Sequence, residues 1–160
     1  MKKMIVMVFF IFGCYTSSAM SKDFGAWVVK DGGNYRFAEQ YGLQEDLIHK
    51  TEPLMQRLDF TYYSGNDTWE MTLTTRLLAE SKDLIILTID DKKYVFSGGG
   101  CCHKQAFDLN KTTIDQIKNS DAIVVEEYYI DKKTSQVTAH YKSNFSAKGS
   151  FAALLWVSDY

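Results

Sequence analysis

The chain has 160 residues, and 46% of them are hydrophobic, enough to fill one core of its own. Its formal charge is −2. With a single proline and that mildly acidic balance, it is neither a polybasic nucleic-acid binder nor a low-complexity disordered chain.

The first twenty residues read as a targeting segment. Lys2 and Lys3 precede the apolar run from Met4 to Phe12, and Gly13 and Ser17-Ser18-Ala19 supply small residues for cleavage. The run is too short for a permanent span, so residues 1–20 are predicted to be a signal peptide cut after Ala19 or Met20. The expected product is a free periplasmic or secreted protein, with residues 21–160 forming one β-rich globular domain and no membrane span. Ile11-Phe12-Gly13-Cys14 offers an alternative, a loose lipobox in which Cys14 carries a lipid anchor. Removing the segment leaves 16 basic and 20 acidic side chains, a net −4 that argues against nucleic acid as a partner.

The remaining chain reads as short strands between turns. Phe24 to Lys30 is the first. Asp31-Gly32-Gly33-Asn34 turns it into Tyr35 to Tyr41, and Gly42 to Pro53 reads as a polar connection. Leu54 to Tyr63 and Thr68 to Thr75 flank a turn at Ser64-Gly65-Asn66-Asp67. In the second of these, Trp69, Met71 and Leu73 alternate with polar residues, the period of a half-buried strand. Leu84 to Ile89 has buried-strand length, and Tyr94 to Phe96 returns after a charged turn. Cys101 to Phe107 follows three glycines. Thr112 to Asn119 is predicted helical, capped by Thr112 or Thr113. Ala122 to Ile130 and Val137 to Ser143 form a long hairpin. Ser150 to Val157 closes the chain as a helix capped by Ser150, or as a last strand. Eight or nine strands at this spacing predict an all-β, mostly antiparallel fold. A β-sandwich or barrel-like sheet fits, with one or two short helices near the C-terminal half.

Gly98-Gly99-Gly100-Cys101-Cys102-His103-Lys104 is the richest chemical segment. Neighbouring Cα atoms lie about 3.8 Å apart, below the usual disulfide window of about 4.4–6.8 Å, so Cys101 and Cys102 do not readily pair with each other. Lys104 and a charged His103 would favour thiolate, which makes Cys101, Cys102 and His103 a candidate redox or intermolecular-disulfide site. Consecutive strand residues face opposite ways and further ligands are lacking, so no metal, cofactor or catalytic residue is assigned. The same alternation separates Glu126 from Glu127, which read as the polar face of a hairpin, and His140 reads as a solvated strand residue. Tyr62, Tyr128 and Trp156 are candidate interface aromatics.

The order of features resembles the invasion-associated locus B family of small exported bacterial proteins. The features are Phe24-Gly25-Ala26-Trp27, Arg36 and Gln40 on the next strand, Leu87-Thr88-Ile89-Asp90, the step from Gly100 into Cys101 or Cys102, a helix at Thr113 to Asn119, and a closing Gly149-Ser150-Phe151-Ala152-Ala153-Leu154. The chain departs from the family where two paired cysteines are usual, carrying Lys30 and Phe37 there, and Ser97 where a third would fall. The resemblance implies a non-enzymatic, β-rich, periplasmic or surface-associated binding protein linked with colonisation or invasion of host cells. Its protein partner and oligomeric state are unidentified. The alternatives are a periplasmic inhibitor or immunity protein, and a thiol-dependent redox protein using Cys101 and Cys102.

Overall fold

The computed structural model describes residues 21–77, 80, 82–99 and 103–159. The signal-peptide reading, Cys14, Cys101 and Cys102 lie outside these residues.

Among the described residues there are ten strands and two helices: β1 (Ser21–Phe24), β2 (Trp27–Asp31), β3 (Tyr35–Asp46), β4 (Leu54–Tyr63), β5 (Thr68–Thr74), β6 (Leu84–Ile89), β7 (Lys92–Ser97), β8 (Lys104–Leu109), α1 (Lys111–Lys118), β9 (Ala122–Ile130), β10 (Val137–Ser146) and α2 (Ser150–Ser158). The strands join one sheet in the order β7-β6-β9-β10-β3-β4-β5-β8. Every pairing is antiparallel. The long β3 serves two neighbours on one side. Its first half pairs β2 through Arg36 to Glu39, and its last turns of pleat pair β10 through Leu43 to Asp46. The sheet curls into a nearly closed barrel, and its two end strands meet through Phe96 of β7 and Phe107 of β8, whose ring centroids are 4.7 Å apart.

The expectation of a barrel-like sheet therefore holds, with several boundaries moved. Phe24 to Lys30 is two strands rather than one. Gly25 takes φ +65°, a conformation that glycine enters without a Cβ clash, and it turns the chain between β1 and β2. The polar connection expected from Gly42 is strand as far as Asp46, because Gly42 pairs with Gln56 and Gln44 with Leu54. Its hydrophobicity is low because its inward residues meet other polar groups rather than an apolar core. Helix α1 is capped by Asn110, not by a threonine, with the Asn110 carboxamide oxygen accepting from Thr113 N at 2.8 Å. The closing segment is a helix. Gly149 occupies its N-cap, and the Ser150 hydroxyl instead donates to Ile117 O at 3.0 Å, tying α2 to α1.

Both helices close one end of the barrel. Ile114 and Ile117 of α1 and Ala153, Leu154 and Val157 of α2 join Trp27, Phe60, Met71, Leu87 and Ile123 in one buried cluster. Each large apolar side chain buried there contributes about 1.5–3 kcal/mol.

The seating of α2 depends on a backbone crossing. The turn at Gly25 lies against the start of α2, and Ala26 N donates to Lys148 O at 3.3 Å. A Cβ on Gly149 would sit 2.0 Å from Phe24 O, and one on Gly25 would sit 2.7 Å from Lys148 O. Trp27 Nε1 donates to Ser146 O at 3.0 Å. The Gln40 amide brackets the Ser146 peptide, donating to its O and accepting from its N at 3.0 Å each. Arg36 lies over the Trp156 ring, 4.5 Å from the centroid, and donates to Asp159 O at 2.9 Å. The residues that carried the family resemblance at the two ends of the chain thus hold those ends together. We expect Gly149→Ala to cost about 2 kcal/mol or more in chemical denaturation, because it adds a backbone clash at φ +90°. Gly65→Ala, with nothing within 4 Å of its Cβ, should stay within about 0.5 kcal/mol of wild type.

Candidate functional site

The barrel interior is divided along its axis. At the helix end it is apolar. Towards the other end, Gln44 of β3, Gln56 of β4, Glu127 and Tyr129 of β9 and Ser143 of β10 all face inward and all are buried. Register explains the layer: Ser143 pairs with Gln44, and Tyr141 with both Asp46 and Glu127. Glu127 is 1% exposed.

Its partners are amides and a phenol rather than cations. Gln44 Nε2 donates to Glu127 Oε1 at 2.6 Å, and Gln56 Nε2 donates to the same oxygen. Tyr129 Oη lies 2.5 Å from Glu127 Oε2 and 3.2 Å from Leu77 O. Burial pushes the Glu127 carboxyl above the usual range, outweighing the hydrogen bonds from Tyr129, Gln56, the Arg76 backbone and Gln44. Burial and the adjacent Glu127 push the Tyr129 phenol up as well. The geometry suits a neutral acid. Its carbonyl oxygen accepts two amides, its hydroxyl donates to Tyr129, and Tyr129 donates on to Leu77 O.

This corrects one sequence expectation. Glu126 and Glu127 do face opposite ways, but Glu127 is interior, not part of a polar face. The strand phase carried that signal, because Ile123, Val125, Glu127 and Tyr129 share one face of β9. Outside, Glu126 Oε1 accepts from Tyr128 at 3.2 Å and lies 3.1 Å from His140 Nε2. His140 is therefore paired and half-buried rather than simply solvated.

The glycine-rich segment borders the polar end. Gly99 N donates to Gln105 Oε1 at 3.0 Å, and Gly98 N to Asp83 O at 2.7 Å. His103 Nδ1 lies 3.2 Å from Thr75 O, while Thr75 N donates to His103 O at 2.8 Å. His103 is thus a clasp between the start of β8 and the end of β5.

The candidate interface aromatics do not form one patch. Tyr62 and Trp156 lie at the helix end and pack against the main core. Tyr128 is on the outer sheet, stacked on His140 with centroids 4.0 Å apart. The exposed apolar surface lies elsewhere, on the β3–β4 hairpin. There Tyr41, Leu43, Met55 and Leu54 are 53%, 53%, 63% and 48% exposed, and Leu43 pairs directly with Met55. Beside them runs a charged chain. Lys30 pairs with Glu39, Arg57 Nη2 lies 3.0 Å from Glu39 Oε2, and Arg57 Nε donates to Asp59 Oδ1 at 2.8 Å. Sequence reasoning missed this hairpin because Gly42 onward reads as a connection. The signal was the alternation of Tyr41 and Leu43 with Gly42 and Gln44.

Among the described residues no group of three or more His, Cys, Asp or Glu is arranged to hold a metal ion, and no helix is long and apolar enough to cross a membrane.

Because the folded state raises the Glu127 pKa, its stabilising contribution is fully present below the ordinary glutamate value. It is lost as pH rises through the folded one. Glu127→Gln mimics the neutral acid and keeps the amide contacts. We expect it to raise Tm at pH 8 and to leave Tm nearly unchanged at pH 4, measured by thermal unfolding across that range. Equal effects at both values would contradict the assignment.

No family model matches the sequence, and no curated protein matches it. Solved structures do match. One is a crystal structure of invasion associated protein B from Bartonella henselae, with a TM-score of 0.60 at 12% identity, covering 87% of this chain and 96% of that one. At that identity the likeness is one of fold, and the chain shares the barrel-like architecture of that protein from one end of the matched region to the other.

Proposed function

We propose that the protein is an exported, non-enzymatic binding protein that acts at host-cell surfaces, a reading supported by its likeness in fold to an invasion associated protein. The observation that carries this reading is the β3–β4 hairpin. A soluble barrel has no structural need to hold Tyr41, Leu43 and Met55 out in water. A cluster of large apolar and aromatic side chains beside a charged rim has the anatomy of a protein interface. Export rests on the charged and apolar run of residues 1–20, and the intact mass of the native protein tests it. A start at Met20 or Ser21 supports a free exported protein, and a lipid-sized addition on Cys14 supports a surface-anchored one.

The binding reading is tested with the double variant Leu43→Asp, Met55→Asp. Both positions are exposed but directly opposite each other, so the two carboxylates cost some stability, and thermal unfolding of the variant checks that the barrel is still folded at the assay temperature. Fluorescently labelled wild-type protein should bind cultured mammalian cells saturably, and the double variant should bind at least about tenfold more weakly. Equal binding by the two proteins, or none by either, would overturn the proposal.

A further inference from the structure

At the helix end a cavity of about 400 Å³ opens between the β4–β5 turn and α1. It belongs neither to the polar interior nor to the β3–β4 hairpin. One wall is aromatic: Tyr62 and Trp69 have centroids 5.1 Å apart and are tilted by 43°. Trp69 is only 6% exposed, yet its indole N–H meets no acceptor among the described residues. The nitrogen is not one of the fully enclosed polar atoms, so the N–H opens on the cavity, where water or a ligand can accept from it.

The polar groups around it are held but not exhausted. Tyr62 Oη donates to Asp67 Oδ1 at 2.9 Å, which fixes the carboxylate and leaves its second oxygen. The Asn110 carbonyl oxygen is used by Thr113 N at 2.8 Å and Thr113 Oγ1 at 3.1 Å, so its amide N–H groups remain as donors. Lys118 is 15% exposed, and its nearest counter-ion is Asp115 at 3.8 Å, too long for a tight pair. The cavity therefore offers donors and acceptors together. Asp67 and Asp115 balance Lys111 and Lys118, so a ligand of one sign gains little.

We propose that this cavity is a binding site for a short neutral saccharide. A sugar is the ligand class whose hydroxyls both donate and accept, and whose C–H face lies on an aromatic wall. The volume lies at the lower end of the range for small-ligand sites. The proposal does not rest on the hairpin surface.

The experiment is saturation-transfer NMR on the full-length protein with cellobiose, lactose and N,N′-diacetylchitobiose. At least one sugar is expected to bind with a Kd in the millimolar range or tighter. Trp69→Phe removes the indole donor and should weaken that binding at least about tenfold. Asp67→Asn should weaken it in the same direction with the fold kept, since Asn tolerates the φ of +53° found there. The Leu43→Asp, Met55→Asp variant should bind the sugar as wild type does, which separates failure of this site from failure of the hairpin reading. Absence of binding by all three sugars, or binding unchanged by both Trp69→Phe and Asp67→Asn, would overturn the proposal.

Discussion

A carboxyl group enclosed in the barrel without a cation is the constraint around which the rest is arranged. Burying an ionised carboxylate in such a place is too costly to sustain, so the group is held neutral or the structure opens. Here three strands contribute to the holding. Gln44 and Gln56 serve one Glu127 oxygen, and Tyr129 serves the other and passes the chain of hydrogen bonds to Leu77 O. That last link reaches the segment between β5 and β6. The segment is fastened further by Thr75 Oγ1 donating to Leu77 O at 2.8 Å and by Asp83 Oδ1 accepting from Ile130 N at 2.8 Å. The polar half of the interior is thus a network that ties β3, β4 and β9 together, with Gln56 Oε1 and Ser143 Oγ buried outside it without partners among the described residues.

The opposite half is sealed by different means. Alpha helix α2 is apolar on nearly every side, and it turns Ala153, Leu154 and Val157 inward. Its position follows from two glycines crossing without side chains between them, Gly25 at φ +65° and Gly149 at φ +90°. With one end plugged by helices and the other occupied by polar side chains, the proposed recognition falls to the outer surface. Among the described residues, the apolar tip of the β3–β4 hairpin and the cleft beside Trp69 are outer features with chemistry to spare.

Much of the fold was legible from residue order. Strong alternation in Thr68 to Thr75 and the apolar run at Leu84 to Ile89 placed β5 and β6 within a residue. The long β3 was legible only in part, because a strand whose inward residues are Gln40, Gly42 and Gln44 lacks the apolar half of the pattern. Those positions are polar because they meet Ser146, Gln56 and Glu127, partners up to 106 residues away in sequence that no local window contains. The same long-range pairing hid the interior role of Glu127. The residues that carried the resemblance, Trp27, Arg36 and Gln40, fasten the chain's two ends together. This is why they pointed to the fold and not to the activity.

The ionisation of Glu127 decides whether the polar half of the barrel is closed to water. The measurement is its side-chain carboxyl carbon shift, followed by ¹³C NMR from pH 3 to pH 9 and assigned with Glu127→Gln. The expected titration midpoint lies clearly above the ordinary glutamate value of about 4.3. A midpoint at or below that value would mean that water reaches the carboxylate, that the barrel is an open chamber rather than a filled one, and that the search for function belongs inside it.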